Sequence, residues 1–215
     1  MAFTNMLLQL GGGMITSVEI FLLTLIFSLP LGLLFSFGRM SRNRVVSNIT
    51  KLYISIMRGT PLMLQLIVIY FGPFFLFKVD LGGFRFPAII IAFALNYAAY
   101  FAEIYRSGIE SMPVGQYEAA KVLGYQKGQT FFKIILPQVI KRILPPVTNE
   151  TITLVKDTSL AFVLAQEEMF TVAKQIASSE SNIMPLMTAG VFYYIFNLLV
   201  ALGMERLEKR LNYYR

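Results

Sequence analysis

Neither cysteine nor histidine occurs in this chain of 215 residues. Without cysteine there is no disulfide framework, no thiolate nucleophile and no cysteine-ligated metal site. Without histidine the common zinc sites, Ser-His triads and imidazole proton relays fall away as well. Charge is scarce: Asp, Glu, Lys and Arg make up 14% of the residues, against about 25% in soluble domains. No G-x-x-x-x-G-K-[ST] string is present, so the chain does not itself build the loop that cradles nucleotide phosphates. Residues 1–13 lack a basic leading region and no small-residue cleavage site follows the first apolar run, which is therefore expected to stay as a membrane anchor.

What is abundant is apolar sequence, 56% of the chain. Four segments, at residues 14–37, 61–77, 86–101 and 183–204, approach or meet the requirement of about 17 to 25 mainly apolar residues for a spanning helix. The third is slightly short. A fifth, residues 139–155, is interrupted by Lys141, Arg142, Asn149 and Glu150. Polar groups at membrane depth usually face a bundle interior or a cavity and mark a pathway. The expected fold is an all-α integral membrane protein with five transmembrane helices, one domain over residues 1–215 with no linker or internal repeat.

The net charge of +7 is unevenly placed: 15 of the 19 basic residues fall in residues 39–58, 106–142 and 206–215. With five spans these regions share one side, which the positive-inside rule makes cytoplasmic, leaving the N terminus outside. Nucleic acid is not expected as a partner, because these basic stretches lack aromatics interleaved at a repeated spacing.

Within this frame, Pro30 and Gly32 are expected to kink the first span, with Glu19 near its outer end as an interfacial residue. Residues 39–57 form an amphipathic cytoplasmic segment, followed by Thr60 as a cap and Pro61 in a first helical turn. Residues 78–86 make a short outer connection containing Gly82 and Gly83. Residues 157–182, which include the acidic pair Glu167 and Glu168, read as an external or re-entrant segment before the last span.

Residues 118–137 read EAAKVLGYQKGQTFFKIILP, a polar and basic stretch between apolar ones and so a candidate surface for a soluble partner. Gly115 can serve as an N-cap, Ala119, Val122 and Leu123 share an apolar face, Glu118 can pair with Lys121, and Gly124 stands where a left-handed cap would end the helix. A helix of about two turns is too short to be stable alone, so it is held by its flanks or by what it docks into.

The spacing of Glu118-Ala119-Ala120, Gly124, Ile134 and Leu136-Pro137 resembles the cytoplasmic EAA loop of ABC importer permeases. Arg58-Gly59-Thr60-Pro61-Leu62, Ala102-Glu103-Ile104-Tyr105-Arg106-Ser107-Gly108-Ile109, Pro113-Val114-Gly115-Gln116 and Lys156-Asp157-Thr158-Ser159-Leu160 resemble the polar amino acid permeases of that group, the histidine, arginine and glutamine type. The recognisable strings cover about residues 55–165. The resemblance implies the transmembrane domain of an ABC type I importer, a transport subunit and not an enzyme. It makes residues 106–137 the coupling loop, with Gly115, Glu118, Ala119, Ala120, Lys121, Leu123 and Gly124 at the ATPase contact. It also implies two cytoplasmic ATPases that bind ATP and Mg, a second permease subunit, identical or not, and an external binding protein, all at a bacterial plasma membrane. No cofactor, metal site or catalytic residue is expected in this chain.

A substrate site would lie near mid-membrane among polar residues. Glu150, Thr153, Leu154 and Asp157 fall at i, i+3, i+4 and i+7, one helical face, and Asn96, Tyr100 and Glu103 make a comparable stripe. A carboxylate at that depth needs a neutralising proton or cation, and arginine, lysine or histidine as substrate would supply the cation. The competing readings are a structural pair of Glu150 with Lys141 or Arg142, and for Asp157 a cap or a pair with Lys156. A neutral or acidic substrate such as glutamine or glutamate is the alternative within the family. An ion channel or gradient-driven transporter is the alternative outside it, though a channel has no use for an ATPase-docking loop.

Overall fold

The computed structural model describes residues 3–79 and 82–211. Its regular structure there is entirely helical: α1 (Phe3–Arg39), α2 (Arg44–Gly59), α3 (Leu62–Phe77), α4 (Arg85–Glu110), α5 (Val114–Val122), α6 (Lys127–Thr130), α7 (Leu136–Asp157), α8 (Met169–Glu180) and α9 (Met184–Leu211), with a π-helical turn Phe131–Ile135 joining α6 to α7 and a 3₁₀ segment Thr158–Leu164 after α7. Asp80 and Leu81 of the outer connection and Arg215 of the basic tail lie outside the described residues.

Three helices are long and apolar enough to cross a bilayer, α1, α4 and α9, and α2 with α3 reaches that standard only as a pair bent by 112°. By this measure the described residues hold three spans, or four if the bent pair is one, against the five expected. The helix that falls short is α7, whose 22 residues include Lys141, Arg142, Glu150, Lys156 and Asp157.

At the centre is α4: 67% of its most apolar stretch is buried, against 6% for α9. Its six alanines, Ala88, Ala92, Ala94, Ala98, Ala99 and Ala102, are all buried, and α4 packs along α1, whose stripe of small residues, Ser17, Thr24, Ser28, Gly32 and Ser36, is buried. Small side chains let two backbones approach, which is how helices gain packing where the surrounding lipid offers no hydrophobic contrast. The contact is tight enough that a Cβ on Gly32 would lie 2.7 Å from the Cβ of Phe101. Through this stripe α1 runs as one helix past Pro30.

Proline sets the break between α2 and α3. It forces the preceding residue out of the helical region, and Thr60 has φ −122° and ψ 147°. Thr60 therefore ends α2 instead of capping the next helix: its hydroxyl donates to the Ile56 carbonyl at 2.8 Å, and Pro61 occupies the cap position of α3. Two amides bind the carbonyls freed at the break. Gln65 Nε2 donates to the Met57 and Thr60 carbonyls at 3.0 and 3.1 Å, and Asn96 Nδ2 donates to the Met57 carbonyl and to Gln65 Oε1, both at 3.0 Å.

The π-helical turn stands immediately before Pro137, which cannot donate to the carbonyl four residues back; the wider turn, closed by Leu136 N–H to the Phe131 carbonyl, occupies that place. After α7 the chain folds back onto α1, α3 and α9. Ala165, with φ +52°, ends the 3₁₀ segment, and Glu168 opens α8 from complete burial. The two acidic residues read together from sequence thus part company, Glu167 exposed and Glu168 in the core.

Candidate functional site: a charged cavity and an exposed helix

A cavity of about 600 Å³ opens between α2, α4 and α7, lined by Arg58, Tyr100, Glu103, Arg106, Arg142 and Glu150 among others. The bend after α2 brings Arg58 to it, with the guanidinium 5.3 Å from the centre of the Tyr100 ring. Within 6 Å, a cation over an aromatic face is attracted by the ring quadrupole. Glu103 is already engaged: Arg106 lies 2.7 Å from its Oε2 and Arg39 3.9 Å from its Oε1. Arg106 also pairs with Glu110. Arg142 donates to the Ser111 carbonyl at 2.8 Å and to its hydroxyl oxygen at 3.0 Å. Glu150 is half-buried and makes no ion pair within 4.0 Å among the described residues. The cavity therefore presents one uncommitted carboxylate beside a guanidinium and a phenol, a set able to grip a small molecule carrying both signs of charge.

Of the six residues placed at a substrate site by spacing, Tyr100 and Glu150 line this cavity and four do not. Asn96, 5% exposed, is bound to Gln65 and the Met57 carbonyl at the α2–α3 break. Leu154 is fully buried in the apolar core with Phe93 and Tyr97. Thr153 is exposed and bonds the Asn149 carbonyl of its own helix. Asp157, two turns beyond Glu150, accepts a hydrogen bond of 2.7 Å from the Tyr97 hydroxyl. The i+3 and i+4 positions diverge by about 100° around a helix, so Thr153 and Leu154 face opposite environments. Arg58, Arg106 and Arg142 line the cavity although the sequence reading assigned none of them to a substrate site: Arg142 was weighed there only as a structural partner of Glu150, and Arg58 and Arg106 only as members of the family-like strings.

The second region is α5. Its helix starts at Val114 with Pro113 at the cap, so Gly115 lies inside the first turn and is not the N-cap. At the other end Gly124 has φ +79°. Its N–H donates to the Lys121 carbonyl at 3.1 Å, and Tyr125 N–H donates to the Ala120 carbonyl at 3.0 Å. These two bonds are the Schellman closure, which requires the left-handed residue that glycine supplies. Ala120 is buried, whereas Glu118, Ala119, Lys121, Val122 and Leu123 are exposed. Glu118 and Lys121 make no ion pair with one another among the described residues. Val122 is 88% and Leu123 74% exposed, leaving the apolar face of α5 uncovered.

Membrane-length helices, a helix pair broken at Thr60-Pro61 and a charged cavity between helices are the architecture expected of the membrane portion of a solute transporter. Residues 28–213 match the family described as "Binding-protein-dependent transport system inner membrane component", and the chain belongs to that family, among the amino acid permeases of ABC importers. It is similar to the L-cystine transport system permease protein TcyB of Bacillus subtilis strain 168, with 37% identity over 95% of this chain and 87% of that one. Similarity to the arginine transport system permease protein ArtQ of the same organism is 36% over 93% of this chain and 91% of that one. Among solved structures, an amino acid ABC transporter crystallised with histidines superposes with a TM-score of 0.87 at 29% identity, covering 98% of this chain and 99% of that one.

Proposed function

We propose that this permease carries a polar amino acid with a cationic side chain, and that Glu150 receives that cation in the cavity while Arg58, held beside Tyr100, receives the α-carboxylate. The observation that carries the reading is the half-buried Glu150 carboxylate with no ion pair among the described residues, in a cavity where Glu103 is engaged by Arg106 and Arg39. A carboxylate taken from water needs a counter-charge, and the substrate provides it. A second reading, a neutral or acidic amino acid such as glutamine or glutamate, draws on the three guanidinium groups that line the same cavity. One relative carries an arginine name and another a cystine name. Uptake of a panel of labelled amino acids by the permease reconstituted with its ATPase and binding protein decides between the two: arginine and lysine over glutamine and glutamate for the first, the reverse for the second.

In this reading α7 crosses the membrane as a fifth span despite its charges, with the N terminus outside and the C terminus inside. Exposed α5 docks on a cytoplasmic ATPase, which binds ATP and Mg, and two permease subunits enclose the pathway. ATP-driven closure of the ATPases moves α5, and the spans alternate between outward-open and inward-open states. Cysteines introduced at Thr4 and Arg206, labelled with a membrane-impermeant reagent without background in this cysteine-free chain, test the topology; labelling of both from one side removes the odd span count.

A further inference from the structure

Two glutamines tie α5 to α7. Gln116 Nε2 donates to Gln138 Oε1 at 2.9 Å, and Gln138 Nε2 donates to Gln116 Oε1 at 2.8 Å. Gln138 Nε2 also donates to the Ile134 carbonyl, in the π-helical turn, at 2.7 Å. A primary amide has two N–H donors, so both donors of Gln138 are used, one to the turn that precedes α7 and one across to α5. Apart from this pair α5 is thinly attached, with Ala120 its one buried residue. Behind it Met112 packs against Ile135 and Val139, but Pro113 separates that contact from the helix.

The two kinds of attachment respond differently to a push. Apolar contact is non-directional and lets surfaces slide, whereas a reciprocal amide pair loses both bonds once the helices shift, because hydrogen bonds weaken steeply with angle and distance. Gln138 lies on α7 twelve residues before Glu150, about 18 Å along the axis. We propose that the Gln116–Gln138 amide pair is the link through which displacement of α5 reaches α7 and the cavity, so that both glutamines are positioning residues for transport. The inference rests on the reading of α5 as the ATPase-docking helix.

The test measures substrate uptake and ATP hydrolysis together in proteoliposomes holding permease, ATPase and binding protein. Gln116→Ala and Gln138→Ala are each expected to lower uptake per ATP by about tenfold, with hydrolysis continuing. The double Ala variant is expected to fall no further, and Gln116→Glu with Gln138→Lys, which replaces the amide pair by an ion pair, to recover part of the ratio. If the Ala variants do not assemble, Gln138→Asn, one methylene too short to reach Gln116, decides in their place. A cysteine at Val122, cross-linked to the ATPase, reports docking separately. Intact cross-linking with an unchanged uptake per ATP overturns the link and leaves the docking reading standing; no cross-link in the otherwise unaltered permease overturns both.

Discussion

The Tyr97 hydroxyl donates to Asp157 Oδ2 across 2.7 Å, and Tyr97 is 2% exposed. The bond joins the centre of α4 to the last residue of α7, where the helix gives way to the 3₁₀ segment. It holds the far end of the helix that carries Glu150. A hydrogen bond to a charged partner is worth about 1.5 to 3 kcal/mol. Tyr97→Phe removes the donor and leaves the ring, so thermal unfolding of the purified permease should fall by about 3 to 10 °C. An unchanged midpoint would mean that Asp157 finds another donor.

Close packing of α1 on α4 supplies a second expectation. A Cβ on Gly32 meets Phe101 Cβ at 2.7 Å and the Ala98 carbonyl at 3.2 Å, atoms fixed to the backbone, whereas nothing lies within 4 Å of a Cβ on Gly11. Gly32→Ala should cost about 1 to 3 kcal/mol through a shift of one helix against the other. Gly11→Ala should be neutral or slightly stabilising, since alanine is the better helix former. Equal unfolding midpoints for the two variants would show that the α1–α4 contact yields easily.

Glu168 offers a sharper contrast. Fully buried, it accepts hydrogen bonds from Phe170 N–H, Thr171 N–H, the Thr171 hydroxyl and the Tyr193 hydroxyl at 2.7 to 2.9 Å, with the Ser17 hydroxyl at 3.4 Å. One carboxylate thus caps α8 and fastens it to α1 and α9. Glu168→Ala strands several buried donors, each at about 1 to 3 kcal/mol, and should abolish or sharply reduce assembled permease. Exposed Glu167→Ala should stay within about 0.5 kcal/mol of the parent. Comparable yields of the two in membranes would contradict the difference in burial.

That contrast shows where sequence stops being informative. Glu167 and Glu168 are the same residue in adjacent positions, and only the chain's return onto α1 and α9 separates them. Asn96 likewise read as pathway polarity, but its amide, with that of Gln65, is consumed by the backbone break that Pro61 creates, a demand visible only once α2 and α4 are side by side. Leu154 fell on a helical face drawn from spacing alone, yet burial in the core takes it away from Glu150. Local chemistry was legible at Gly124, which announces a left-handed cap because few other residues accept φ +79°; Thr60-Pro61 marked a boundary, but Thr60 closes α2 where it was expected to open the next helix. Of the polar residues that interrupt the apolar pattern of residues 139–155, Arg142 and Glu150 line the cavity, whereas Lys141 and Asn149 do not, and spacing alone does not separate the two pairs.

The cap at Gly124 gives an expectation for coupling. Proline there cannot adopt φ +79° and has no N–H for the Lys121 carbonyl, so Gly124→Pro dismantles the closure of α5 and redirects the exposed Val122 and Leu123. The spans are untouched, so assembled protein should remain near the parent level while ATP-driven uptake falls by about tenfold or more. Full uptake in this variant would reduce α5 to a linker.

Glu150 carries the last and most discriminating expectation. Glu150→Gln keeps the size and hydrogen-bonding capacity of the side chain and removes its charge. If the carboxylate receives a cationic substrate group, the variant loses a charge-assisted bond of about 1.5 to 3 kcal/mol, and apparent affinity for arginine or lysine drops by about ten- to a hundredfold. Glutamine, which brings no side-chain charge, should lose far less. An equal loss for basic and neutral amino acids would assign Glu150 to the architecture of the cavity, where Arg58 and Arg142 stand close by. Unaltered uptake of both would remove it from the pathway and turn attention to Arg58 and Tyr100, whose cation–ring contact at 5.3 Å would then be the remaining preorganised feature of the cavity. Arg58→Lys separates that case, because an ammonium keeps the charge and loses the planar fork that binds a carboxylate through two parallel hydrogen bonds.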